Sequence, residues 1–129
     1  MNVTQTVLDY FASKGGLPGA TGLELLLGLA LRWGQESGVG LQRALAVLTC
    51  EPARVLGPAL GTLEASAGQL VEGGIADLCI FDPLGTWTVS PQALRSQGRH
   101  TPFEGHELPG RVRWTLVGGQ IAFEARPEA

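Results

Sequence analysis

Residues 110–124, with the sequence GRVRWTLVGGQIAFE, predict a β-hairpin. Between positions 111 and 116, apolar residues alternate with polar or charged ones, as in a strand with one buried face. The apolar set is Val112, Trp114 and Leu116. The pair Gly118-Gly119 can adopt the positive φ angles that a two-residue hairpin turn requires. Residues 120–124 are therefore predicted to return as the second strand.

The region between residue 61 and this hairpin also has β character. Leu78 to Phe81 form a short apolar run, bounded by a Gly-Gly pair and by Asp82-Pro83, which is typical of a buried strand. Residues 86–89 predict another strand, and residues 91–96 predict a helical turn. The second half of the chain is therefore expected to be a small, mainly β structure.

Helical patterns occupy the part of the chain before residue 60. The tetrapeptide TGLE at 21–24 is typical of a capping box, in which the Thr21 hydroxyl and the Glu24 carboxylate each bond the other residue's backbone N–H. A helix is predicted from there to about residue 36, with apolar residues on two faces, so it should have packing partners on several sides. Two shorter helices are predicted at 41–48 and 49–57.

Composition and charge narrow the classes of function. The chain has 129 residues, 44% of them hydrophobic and 16% charged, with a net charge of -3. Its basic residues are scattered, so neither nucleic acid nor a membrane surface is an expected partner. The first ten residues lack the pattern of a secretory signal, and no apolar stretch is long enough to span a bilayer. We therefore expect a cytoplasmic protein whose Cys50 and Cys79 are reduced and buried.

Four segments resemble motifs of dihydroorotases and of the wider cyclic amidohydrolase superfamily. Gly19-Ala20-Thr21-Gly22-Leu23-Glu24 is similar to the G-x-x-G-L-E element of dihydroorotases. Residues 49–57, TCEPARVLG, resemble the superfamily's T-x-x-P-A-x-x-x-G segment. Residues 73–83 resemble its G-x-x-A-D-L-x-x-F-D-P strand, and residues 110–119 its G-R-V-x-x-T-x-V-x-G signature.

The most specific resemblance lies at residues 94–105, LRSQGRHTPFEG, which is similar to the dihydroorotase pattern S-K-G-x-N-T-P-F-x-G. This chain has His100 where the family usually has Asn. Residues 1–16 also lack the Asp-His-Ala-Pro-His element that normally precedes G-x-x-G-L-E. Allantoinases and hydantoinases, which are related cyclic amidohydrolases, stay open as alternatives.

The resemblance implies an α/β fold with two parts. Residues 1–60 would be the terminal helices of an amidohydrolase (β/α)₈ barrel, and residues 61–129 would be strands of a small β-sandwich domain. A whole barrel needs about 250 residues, so only its end could be present. In the family, one or two zinc ions are held by His, carboxylated Lys and Asp ligands upstream of the matching segments. The chain is therefore expected to hold no metal ligand, no cofactor and no catalytic residue.

One element of a substrate site is nevertheless implied. In the family, the loop before the last barrel helix lends backbone N–H groups to the substrate carboxylate, which points to Gly19 and Ala20 here. A plain connecting turn is the alternative. His100 and His106 lie in a Pro/Gly-rich loop and are expected to be solvated rather than metal-bound. The two aspartates that flank the strand at 78–81 are expected to cap it, because side chains five apart on a strand point to opposite faces.

Two functional hypotheses follow from the resemblance. In the first, the chain is part of a dihydroorotase, or of a silent dihydroorotase-like protein, and cannot by itself interconvert dihydroorotate and carbamoyl-aspartate in pyrimidine biosynthesis. In the second, it is an assembly module, since silent relatives act as scaffolds for aspartate carbamoyltransferase. The expected partners are the rest of a dihydroorotase barrel, a second copy of the chain, or aspartate carbamoyltransferase.

Overall fold

The structure, a computed structural model, describes residues 5, 6, 9 and 20–126. From residue 20 onward, helices are followed by an antiparallel sheet, which confirms the predicted mixed α/β composition. A 3₁₀ turn at Leu23–Leu25 leads into the helices α1 (Leu26–Ser37), α2 (Gly40–Ala46) and α3 (Cys50–Leu56), and a 3₁₀ segment covers Gly57–Leu63. The strands are β1 (Leu78–Thr88), β2 (Glu107–Val117) and β3 (Gln120–Glu124).

The three strands form one antiparallel sheet in the order β1-β2-β3. The predicted hairpin is confirmed, and Gly118 and Gly119 have φ angles of 55° and 81°. The two strands predicted at 78–81 and 86–89 are instead parts of β1, whose register shifts between Asp82 and Thr86. The Asp-Pro pair therefore marks an irregularity within the strand rather than its end.

Helix α1 ends where the sequence predicts, since Gly38 adopts a left-handed conformation with φ of 67°. The capping box predicted at its start is wrong. No side chain caps the 3₁₀ turn or α1, and the Glu24 carboxylate accepts its hydrogen bonds from residues 95 and 96 instead. Those donors lie more than 70 residues away, so the local motif gives no sign of them.

Missing side chains allow α1 to approach its neighbours closely. A Cβ at Gly28 would lie 2.9 Å from the Leu108 Cβ of β2, and one at Gly34 would lie 2.7 Å from the Ala44 Cβ of α2. The opposite face of the helix is not covered in the same way, and Leu26 is 47% exposed. Of the two apolar faces predicted, the one with Leu25 and Leu29 packs in the core, whereas Leu26 of the other is exposed. The expected packing on several sides is therefore found only in part among residues 20–126.

The main core joins the start of the helical region to the segment before and within β2. Its buried members are Leu25, Val89, Leu94, Phe103 and Leu108. Because Leu25 and the later residues share one core, the helices and the sheet are packed together. The domain division at residue 60, the barrel and the sandwich stay predictions. In the described part of the chain, no helix is long and apolar enough to cross a membrane.

Candidate functional site

The structure brings together two segments that carry the family resemblance, the G-x-x-G-L-E element and the loop at 94–105. Their link is the Glu24 carboxylate. Its Oε1 accepts hydrogen bonds from the Ser96 N–H at 2.7 Å and the Ser96 hydroxyl at 2.6 Å. The Arg95 N–H donates to both oxygens, at 3.1 and 3.0 Å. One side chain thus fixes the backbone of a loop that is distant in sequence.

A second contact joins the same two segments. The Thr21 N–H donates to the His100 carbonyl oxygen at 2.6 Å. The approach is close beside this bond, because a Cβ on Gly98 would lie 2.8 Å from the Thr21 Oγ1. The short stretch from Thr21 to Glu24 is therefore held to the loop at both of its ends.

The electrostatics of Glu24 favour its ionised form. Burial opposes ionisation, but the Ser96 hydroxyl and the backbone N–H groups of Arg95 and Ser96 outweigh it and lower the pKa of the carboxyl. The Arg95 charge acts in the same direction. The carboxylate therefore keeps its hydrogen-bond acceptors at neutral pH.

The loop has further anchors of its own. The Arg95 guanidinium lies over the Phe123 ring of β3, 4.6 Å from its centroid. The Arg99 guanidinium donates to the Pro91 carbonyl oxygen. Thr101 is buried, and its Oγ1 accepts from the Phe103 N–H at 3.3 Å. These contacts give the loop a defined shape although it contains no helix or strand.

The two predicted substrate-contacting residues are placed only in part. Gly19 lies outside the described residues. Ala20 is exposed and lies in irregular structure just before the anchored Thr21. Its backbone N–H precedes a helical segment, where an anion would be favoured. That Gly19 and Ala20 bind a carboxylate stays a prediction.

The two histidines differ from each other. His100 is exposed, as predicted, but the prediction of a solvated His106 is wrong. The His106 ring packs edge-on against Phe103, with 6.0 Å between ring centroids, because the loop folds back onto the core there. In the described part of the chain, no three His, Cys, Asp or Glu side chains are grouped so that they could hold a metal ion.

The aspartates that flank the strand have structural roles. Asp77 accepts a 2.7 Å hydrogen bond from the Gly118 N–H. Asp82 accepts from the Leu84 N–H at 3.0 Å and lies 3.5 Å from the Arg113 guanidinium. The N–H groups of Leu84 and Gly85 lower the pKa of Asp82. Both side chains therefore accept backbone hydrogen bonds at turns, which agrees with the structural role predicted for them.

The cysteines are free, as predicted, but their burial is less than expected. Cys50 is half-buried at the start of α3, and Cys79 is exposed on β1. The prediction of a buried Cys79 is wrong because the sheet is covered less completely than an apolar strand suggests.

Sequence reasoning missed the contact between Glu24 and Ser96. Both belong to motifs that carry the family resemblance, so the motifs themselves marked the residues. The sequence alone did not predict their contact, because a glutamate followed by apolar residues is also typical of the start of a helix.

The sequence is similar to those of curated dihydroorotases and of a dihydroorotase-like protein. No family model matches the sequence. The chain is 43% identical over 107 residues to a dihydroorotase-like protein of Pseudomonas aeruginosa. This match covers 83% of this chain and 23% of that protein. It is 39% identical over 117 residues to a dihydroorotase of Anaeromyxobacter dehalogenans, covering 91% of this chain and 25% of the relative. A Geobacter metallireducens dihydroorotase is 36% identical over 108 residues, covering 84% of this chain and 24% of the relative.

The chain thus spans about a quarter of the length of the curated relatives it matches. It corresponds to a C-terminal portion of these relatives and belongs to the dihydroorotase family.

Proposed function

We propose that this chain supplies the helix-and-loop part of the substrate site in a dihydroorotase, and supplies neither a metal ligand nor a catalytic group. The reaction of the whole protein would be the reversible hydrolysis of the cyclic amide of dihydroorotate to carbamoyl-aspartate, in the cytoplasm. The observation that carries the proposal is the attachment of the 94–105 loop, through Glu24, to the segment that follows Ala20.

The chemistry of the segment suits the substrate. Both dihydroorotate and carbamoyl-aspartate carry carboxylates, and backbone N–H groups before a helix bind anions because they align with the helix dipole. Of the two arginines on the attached loop, Arg95 is offset by the ionised Glu24, and Arg99 adds positive charge nearby. The arrangement is therefore suited to binding and orienting an anionic substrate.

Zinc, which the family resemblance implies, does not fit the residues described here. They contain no group of three His, Cys, Asp or Glu side chains that could hold it. Zinc sites in enzymes use about three protein ligands. The metal and the groups that move protons would then belong to the rest of the protein. In this proposal, α1–α3 complete the barrel and the sheet joins the small β domain.

A chimera tests the proposal. The matching segment of the Anaeromyxobacter dehalogenans dihydroorotase would be replaced by this chain, and the unaltered relative would be the control. We expect the chimera to interconvert dihydroorotate and carbamoyl-aspartate, and we expect this chain alone, with added zinc, to show no turnover and no stoichiometric metal. A folded, zinc-loaded but inactive chimera would contradict the proposal, and so would turnover by the chain alone.

A second candidate is a non-catalytic assembly module. Two observations favour it: a relative at 43% identity is named a dihydroorotase-like protein, and several large apolar side chains are exposed. They include Leu23, Leu26, Ile80 and Ile121. Sedimentation of the chain alone and with aspartate carbamoyltransferase would test this candidate. A stable complex would support it, and independent sedimentation of a monomeric chain would oppose it.

A further inference from the structure

We propose that Glu24 is a positioning residue, whose carboxylate holds the loop at 94–101 against the segment before α1 and so fixes the Ala20 backbone N–H toward the substrate carboxylate. This inference depends on the proposed function, because it names what orients the anion-contacting segment. It adds to that function a residue that contacts no substrate itself.

Hydrogen bonds from the loop saturate the Glu24 carboxylate. It accepts from two backbone N–H groups and one hydroxyl, all at 2.6–3.1 Å. Hydrogen bonds to an ionised acceptor are stronger than neutral ones, and several on one carboxylate fix its geometry. Because Glu24 is exposed, this geometry is not forced on it by burial. The hydrogen bonds to the loop, rather than burial, therefore order the Glu24 side chain.

The segment before α1 is held to the loop at a second point. The bond from the Thr21 N–H to the His100 carbonyl lies three residues before Glu24 and uses the other end of the same loop. The planar peptide bond between Ala20 and Thr21 ties the Ala20 Cα to the anchored Thr21 N–H, so only the φ and ψ angles of Ala20 itself are left to orient the Ala20 N–H. Loosening the loop would therefore loosen Ala20.

The hydrogen bonds of Glu24 act on different residues from the packing of the core. Leu25 and Leu94 are the immediate neighbours of Glu24 and Arg95, and both are buried in the same core. Packing alone thus joins the two segments. The carboxylate bonds instead fix the backbone of residues 95 and 96, neither of which belongs to the buried core. We therefore infer that Glu24 fixes the conformation of the site and does not only stabilise the fold.

The test uses Glu24→Gln in the chimera described above, with Glu104→Gln as the matched control. Glu104 is an exposed glutamate of the loop at 94–105, and it lies outside the 94–101 stretch that Glu24 holds. Calorimetric titration with dihydroorotate gives Kd, turnover gives kcat and KM, and amide hydrogen exchange on the unaltered and substituted chains reports the loop. We expect Glu24→Gln to raise Kd and KM about tenfold, which is about 1.4 kcal/mol of binding, with kcat nearly unchanged.

The outcomes separate this inference from the proposed function. Faster exchange at 20–24 and 94–101 together with weaker binding, in Glu24→Gln only, supports positioning even if the chimera does not turn over. Faster exchange with unchanged Kd means that Glu24 is merely structural and overturns the inference while leaving the proposed function intact. Equal effects of Glu104→Gln, or no binding of dihydroorotate by the unsubstituted chimera, would also overturn it.

Discussion

The carboxylate of Asp77 accepts a 2.7 Å hydrogen bond from the backbone N–H of Gly118, which lies 41 residues later in the chain. Beside it, the Gly119 N–H donates to the Ala76 carbonyl oxygen at 3.0 Å. The turn between β2 and β3 is thereby held against the residues that precede β1. The hairpin is thus connected to the first strand at its turn as well as along the β1–β2 ladder.

Replacing Asp77 should loosen this end of the sheet. We expect Asp77→Ala to lower the free energy of unfolding by about 1 kcal/mol, because a hydrogen bond to a charged but exposed acceptor is lost. Asp77→Asn is the matched control, since it keeps an acceptor oxygen and should cost clearly less. Urea denaturation followed by circular dichroism measures both. An Ala variant as stable as the unaltered chain would contradict the assigned role.

Gly110 should be the most sensitive glycine at the contact between α1 and β2. Its φ is +86°, and an added Cβ would lie 2.4 Å from the Leu31 Cδ1. We expect Gly110→Ala to cost about 3 kcal/mol, from backbone strain and from overpacking against the helix. Gly105 has a similar φ of +80° but open space around it, so Gly105→Ala reports the strain alone.

The comparison of the two glycines in thermal denaturation decides the cause. A clearly larger loss of stability for Gly110→Ala would show that α1 packs on β2 at this point in solution. Equal losses would mean that only the backbone conformation matters and that the helix is not closely docked.

Elements defined by local signals were predictable from the sequence. The end of α1 at Gly38, the helix between Thr49 and Gly57 and the turn at Gly118-Gly119 all depend on residues within a few positions of each other. Glycine at a position that requires positive φ is a strong local signal. Such signals gave these boundaries correctly.

Features that depend on distant residues were not predictable. Glu24 fits a capping box, yet its bonds go to Arg95 and Ser96, because those donors are brought to it by the shared core. Likewise, His106 looks like a solvated loop residue until the loop is folded against Phe103. The motifs marked both segments of the candidate site, but only the structure shows that the segments touch.

The shared core should make the helix start and the loop depend on each other. Leu25 is fully buried, whereas its neighbour Leu26 is 47% exposed. We expect Leu25→Ala to cost about 3 kcal/mol and to speed amide exchange in residues 89–108, because a cavity is left between the two segments. Leu26→Ala, the matched control, should cost well under that and leave the exchange of the loop unchanged. Similar effects of the two substitutions would argue against this core.

The stability that Glu24 contributes should disappear in acid. Hydrogen bonds lower the pKa of Glu24 in the folded chain below its ordinary value of 4.5, so the folded state favours the ionised form more than the unfolded state does. This contribution is therefore complete above the unfolded pKa and is lost as the pH falls through the lower folded pKa. At neutral pH we expect Glu24→Gln to be less stable than the unaltered chain by about 1 kcal/mol, since the side chain is exposed.

The same two proteins measured between pH 7 and pH 3 give the test. Their difference in free energy of unfolding should stay constant down to about pH 5 and then shrink as Glu24 takes up a proton. Asp82, whose pKa is also lowered, titrates in both proteins and cancels in the difference. A difference that does not change with pH would mean that the carboxylate charge is not what holds Arg95 and Ser96. No difference at any pH would mean instead that the clamp depends on the shape of the side chain, which Gln preserves.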